Sequence, residues 1–199
     1  MKRDLRSTKP LQSSFLSFEK DVETILKALF VQSQPHSDSL KRLLVINTKD
    51  CLDNTESQVY KDVLEEMTLA KLIKNGYIKL NPKIRMPEYE EIKSYIIISA
   101  DNFTPTSNPQ YRDCTLTFDV ICHIDYWDIG DYRQRPIKIV GYLDGLLNNA
   151  KLSGIGELEF VGCNELILNE DLAGYSLMYR ATHGNDDRLP PKEIDDDDE

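Results

Sequence analysis

The sequence predicts an α+β fold: an antiparallel sheet of about four to five strands packed by helices, with an extra helical segment at the N-terminus. Three observations predict it. Apolar residues recur at spacings of three and four from Phe15 to about Lys74, then at every second position after Gly76. Residues 115–127 alternate over their whole length, as a half-solvated strand of an antiparallel sheet does. A helical pattern then returns after Pro136 and gives way to two further alternating segments.

Taken in order, residues 1–14 read as a flexible basic arm, with Lys2, Arg3, Arg6 and Lys9 and little to bury. Phe15, Phe18, Val22, Ile25, Leu26, Leu29 and Phe30 mark a first helix, ended at Gln34-Pro35 because proline disfavours α conformation in the residue before it. Ser37-Asp38 is the expected cap of a second helix carrying Leu40, Leu43 and Leu44. Residues 15–55 thus form a helical addition to a core over 56–184. A polar stretch leads to a third helix over 56–74, with Val59, Val63, Met67, Leu69, Leu72 and Ile73 as its apolar stripe. Asn75-Gly76 stops it, since glycine takes a left-handed cap without strain.

Short strands are expected at 77–80 and 83–86, and a stronger isoleucine-rich one at 91–100. Residues 101–113 are dense in Asn, Pro, Thr and Ser and read as a long exposed loop. In 115–127, Leu116, Phe118, Val120, Cys122, Ile124 and Tyr126 face one way, and Thr115, Thr117, Asp119, His123 and Asp125 the other. After a polar loop at 128–134, Pro136 opens a helix with Ile139, Val140, Leu143, Leu146 and Leu147 on its buried side. Gly154 and Gly156 break the chain before strands at 157–168 and 175–183. Residues 185–199, with eight acids against two bases, read as a disordered acidic tail.

Composition narrows the function classes. Of 199 residues, 40% are hydrophobic and 29% charged, the mixture of a soluble globular protein. A net charge of −10 argues against a protein that coats nucleic acid by neutralising phosphates. The apolar runs at 95–98 and 120–122 fall far short of the roughly 20 residues that span a bilayer, and the N-terminus lacks the apolar core of a signal peptide. Cys51, Cys114, Cys122 and Cys163 stand far apart, as free thiols in a reducing cytoplasm do.

No motif carries chemistry. Gly154-x-Gly156 precedes a strand, whereas a dinucleotide fingerprint follows one and opens a helix. Cys122 and His123 are adjacent and point to opposite faces of a strand, so no metal set is expected there. Asp119, Asp125, Asp128 and Asp131 follow no calcium-loop spacing and read as a solvated edge. His36, His123 and His183 lie near no nucleophile motif. The expectation is a non-enzyme with no catalytic residues, no metal and no cofactor.

Several segments resemble the tail-terminator and tail-completion proteins of tailed bacteriophages, which form rings in the neck or at the top of the tail. These are LIKNGYIKLNPKI (72–84), YIIIS (95–99), CTLTFDVICHIDYW (114–127), RPIKIVGYLDGLLNNAKLSGIGELEF (135–160) and GYSLMYRATHGNDD (174–187). The likeness spans about two-thirds of the chain and rests on pattern; residues 1–55 are an addition to it. It implies a structural virion protein of the neck or tail, assembled in the host cytoplasm. Its partners would be identical subunits in a closed ring of six or twelve copies and neighbouring portal, connector and tail proteins. DNA would pass through without sequence-specific contact and no membrane would be involved. It also implies contact roles for the loop at 101–113, through Asp101, Asn102, Phe103, Thr104, Asn108, Gln110, Tyr111 and Arg112. The loop at 128–134 would come second, through Asp128, Asp131 and Arg133. Two alternatives stand beside this: a monomeric cytoplasmic adaptor or assembly chaperone of the same fold, and an enzyme built around His123 and nearby aspartates.

Overall fold

The computed structural model describes residues 15, 18–33, 35–53, 56–81, 93–108, 111–152 and 154–184. The expected arm at 1–14, acidic tail at 185–199 and short strand at 83–86 lie outside the described residues. Helix α1 (Phe18–Lys27) runs on into a wider π-type turn, Ala28–Gln32, before the stop expected at Pro35. Helix α2 (His36–Val45) starts one residue before the predicted cap. Ser37 is fully buried and caps nothing, its hydroxyl finding no partner among the described residues.

The single helix expected over 56–74 is two, α3 (Gln58–Glu66) and α4 (Leu69–Lys74). Thr68 takes extended backbone angles and its hydroxyl accepts the Lys71 N–H at 3.3 Å, so a fresh N-cap forms inside the periodic run. Of the expected stripe only Leu72 is fully buried, while Val59 is 67% exposed. Gly76 ends α4 at φ 78°, as its position requires.

Among the described residues seven strands follow: β1 (Ile78–Lys79), β2 (Ser94–Pro105), β3 (Tyr111–His123), β4 (Lys151–Leu152), β5 (Gly156–Glu157), β6 (Glu159–Ile167) and β7 (Leu172–Gly184). Helix α5 (Arg135–Leu147) sits between β3 and β4, with Pro136 in its first turn. Five strands make one sheet in the order β1-β2-β3-β7-β6, antiparallel except for β1, which runs parallel to β2. β4 and β5 pair as a separate ribbon around Gly154 and Gly156, both at positive φ. At Gly174 a Cβ would lie 1.7 Å from the Val120 carbonyl oxygen, so only glycine allows β7 this close to β3.

Two readings of the sheet need correction. The predicted loop over 101–113 is mostly strand: β2 continues to Pro105 and β3 begins at Tyr111, with a register shift between Asp101 and Thr104. Polar residues suit strands that extend past the helices, where no apolar partner is waiting. At the other end β3 stops at His123, not at residue 127. His123 Nδ1 accepts the Asp125 N–H at 3.2 Å and turns the chain into a 3₁₀ turn, Ile124–Tyr126, leaving Ile124 exposed.

The helix-side face of the sheet carries Ile96, Ile98, Leu116, Phe118, Val120, Leu177 and Tyr179 against Leu40, Leu43 and Leu44 of α2 and Ile139, Leu143 and Leu147 of α5. The other face is polar as expected around Thr115, Thr117 and Asp119. Toward the β3 C-terminus, however, Tyr95, Ile97, Ile121 and Leu172 form a second small apolar cluster.

Two buried polar contacts tie the N-terminal helices to this body. The Asp21 carboxylate of α1 pairs with His183 Nδ1 near the end of β7, both side chains being buried. Arg135 is completely buried and donates to four carbonyls: Tyr126 from Nε at 2.8 Å, Leu43 and Ile46 from Nη1 at 2.7 and 3.0 Å, and Thr48 from Nη2 at 2.9 Å. It thereby satisfies carbonyls left over at the α2 C-terminus, where the helix dipole also favours a cation.

Candidate functional site

The residues assigned to contact fall into two groups that the fold keeps apart. Asp101, Asn102, Phe103, Thr104, Asn108, Tyr111 and Arg112 lie in the β2–β3 hairpin. Asp128, Asp131 and Arg133 lie beyond the far end of β3, so roughly 40 Å of extended strand separates them from the hairpin tip. Gln110 lies outside the described residues.

Within the hairpin, Asn102 occupies the left-handed region at φ 52° where the register shifts, and Asp101 and Thr104 beside it are exposed. The shift turns Phe103 inward. Its ring meets Phe15 at 4.9 Å, Phe18 at 5.7 Å and His183 at 6.3 Å between centroids. Arg112 lies over the Phe15 ring at 4.7 Å. These two side chains hold the hairpin against α1. Near the tip, the Thr106 hydroxyl lies 2.8 and 3.2 Å from the Asn108 and Tyr111 carbonyls and accepts the Asn108 N–H at 3.2 Å.

The 128–134 segment is a tight turn closed by a bridge between Asp128 and Gln134. The Gly130 N–H donates to Asp128 Oδ1 at 3.1 Å, and Ile129 plugs into the core. Gly130, Asp131 and Tyr132 follow one another at φ 82°, 45° and 63°, two of them non-glycine residues in the left-handed region. Arg133 makes a fork-to-fork pair with Asp53, at 2.8 Å from Nη1 and 2.5 Å from Nη2, and so ties the turn to the helical addition. This bond holds the Asp53 carboxyl below its ordinary range and raises Arg133. The turn offers outward the exposed Asp128 and Asp131 of the sequence reading and also Tyr132, fully exposed, which sequence reasoning passed over. A tyrosine between Asp131 and Arg133 in a polar loop carries no signal of its degree of exposure.

Two further surfaces have apolar character. A groove of about 940 Å³ runs between α1, α4 and β2, lined by Phe18, Val22, Leu26, Leu69, Ile73 and Leu80 among others. On the opposite side of the sheet, edge strand β6 leaves Phe160, Val161 and Ile167 about half to two-thirds exposed. Helix α5 packs mainly on β3 and β7.

No thiol has its pKa lowered toward that of an activated nucleophile; three of the four cysteines are buried and Cys163 is exposed. Burial pushes Cys114 and Cys122 up to about 11, and raises Cys51 and Cys163 as well. Among the described residues no group of three His, Cys, Asp or Glu side chains is placed to hold a metal, and no helix is long and apolar enough to cross a membrane. His123 serves as the cap described above, with Asp125 Oδ2 at 3.6 Å.

The YomW family model matches residues 37–181, from α2 to β7. No curated protein matches the sequence. Among solved structures the chain is similar to a chain of the virion of a native gene transfer agent (GTA) particle, at 15% identity and a TM-score of 0.40, covering 63% of this chain and 91% of that one. At that level the likeness carries no argument about function.

Proposed function

The chain belongs to the YomW family, a phage-associated family, and from that premise we propose that it is a non-catalytic structural protein of a virion. Within the particle it is a ring subunit of the neck or tail, of the tail-terminator type, standing between the portal side and the tail. Family membership over residues 37–181 is the observation that carries this reading; that span holds α5 and the sheet up to residue 181 of β7. Three features support the finer assignment. The sheet is rigid, with β3 and β7 paired over thirteen residues. Its contact segments sit at opposite ends, as a subunit with one neighbour above and one below requires. The net charge of −10 suits a channel wall that lets DNA pass without gripping phosphates.

The test is quantitative mass spectrometry of purified particles, together with negative-stain imaging of the isolated chain. The reading expects a fixed copy number per particle and closed rings. Presence in the producing cell but absence from purified particles would overturn it in favour of an assembly chaperone or adaptor.

A further inference from the structure

We propose that the two opposite edges of the sheet are the two halves of one head-to-tail interface between copies of this chain. The inference rests on the reading of the protein as a self-assembling subunit and specifies which surfaces meet.

One half is the β6 edge. Its nine residues pair with β7 on one side and with no strand on the other among the described residues. An edge of that length with unpaired backbone groups is a template for another chain, and natural sheets usually blunt it. Here Phe160 and Ile167 stand on the helix side of the sheet and stay about half to two-thirds exposed, and Val161 stands out at the register shift between Phe160 and Gly162. Residues 157–171 contain five acids, Glu157, Glu159, Glu165, Glu170 and Asp171, and no base. Lys151 and Arg180 approach the first two at 3.7 and 4.0 Å, leaving the segment net acidic.

The other half is the α4–β1 edge, at the far side of the same sheet. Residues 67–81 contain Lys71, Lys74 and Lys79 and no acid. The same segment supplies Leu69, Ala70, Ile73 and Leu80 to the apolar groove, whose α1 rim adds Glu19 and Glu23, the latter paired with Lys27 at 2.7 Å. An acidic edge with projecting apolar side chains and a basic edge beside an apolar groove are complementary in charge and in shape. Because they lie on opposite edges of one sheet, each copy can use both at once. That makes the contact heterologous, the kind that closes into a ring or runs on as a filament. Charge would set the register and the apolar row would supply burial.

Charge reversal on the full-length chain tests this, read by native mass spectrometry and sedimentation across protein and salt concentration. Wild type is expected to self-associate, more weakly as salt rises. Glu159→Lys/Glu165→Lys and Lys71→Glu/Lys74→Glu should each weaken association roughly tenfold or more while keeping the circular dichroism spectrum. An equimolar mixture of the two should recover it, since each reversed edge then meets its opposite. Val161→Lys, at a half-exposed position of the same edge, puts the wrong sign of charge there and removes an apolar contact with the neighbour, and should act like the first variant. Wild-type assembly that survives all three variants would overturn this interface and leave the ring reading standing. A wild-type chain monomeric under every condition would overturn self-assembly and the interface together.

Discussion

Helices α2 and α3 have almost the same length and both are amphipathic, yet one is the centre of the molecule and the other its skin. α2 buries Leu40, Leu43 and Leu44 completely and has its C-terminal carbonyls held by Arg135. α3 buries no residue. What holds it is the packing of Tyr60 and Val63, only partly buried, against the core, and surface contacts such as Tyr60 Oη to Asp50 Oδ1 at 2.8 Å. Periodicity therefore reports that a segment is helical, while its depth depends on what later returns to cover it. For α2 that is α5 and its first residue, some ninety positions downstream.

The largest effect should come from removing that later cover. Arg135→Ala leaves two buried α2 carbonyls unpaired and opens a cavity, at a cost of about 4 kcal/mol in chemical denaturation. Arg135→Lys should recover little, because one ammonium cannot reach four carbonyls spread around a planar fork. Next, Leu43→Ala in α2 should cost about 3 kcal/mol. Its counterpart Val59→Ala in α3 should stay within about 0.5 kcal/mol, and equal losses at the two sites would erase the distinction drawn here.

Alkali gives a third probe of the buried region. The Cys122 thiol is pushed from 9.0 to about 11 in the folded chain. The unfolded chain therefore loses its proton first, and stability is full below pH 9 and falls as pH rises from there to 11. The loss from this thiol should be roughly 3 kcal/mol, and Cys122→Ala should remove its share of that part of the profile while Cys114, also raised to about 11, keeps its own. The surface tie at Asp53 should behave in the opposite sense. Its carboxyl is held low by Arg133, so its contribution is present at neutral pH and fades only as acid titrates it below the ordinary carboxylate range. Asp53→Asn should remove that acid dependence with the smallest effect at neutral pH; a drop there as large as that of Leu43→Ala would show the 128–134 turn to be part of the core.

The elements most legible in the sequence were those whose signal is local. Pro136 opening α5, Gly76 at positive φ, and the alternation of Leu116, Phe118, Val120 and Cys122 were all readable from a few neighbours. What was hidden depended on partners far along the chain. Thr68 looked like one residue of a longer helix, and residues 101–105 looked like a loop until β3 paired with them. Arg135 was read as part of a segment resemblance, with nothing to say that its charge would be buried under α2. The contact residues were legible only as loop-like composition, so Phe103 and Arg133 were chosen as outward-facing although the fold turns both to holding the subunit together. Tyr132 was hidden because its exposure comes from the left-handed run at 130–132, and the β6 edge because strand order decides which strand stands at the rim.

The pairing of Asp21 with His183 also sets a schedule. The two residues are 162 positions apart, so at ordinary synthesis rates roughly 8 to 32 s separate their emergence from the ribosome. Throughout that interval α1 has Ile25 and Leu26 to bury and no completed β7 to dock against. Helix α1 can meet α4 and β2 well before then, but its buried Asp21 gains the His183 contact only once β7 is complete, and a chain truncated before residue 183 would never make it.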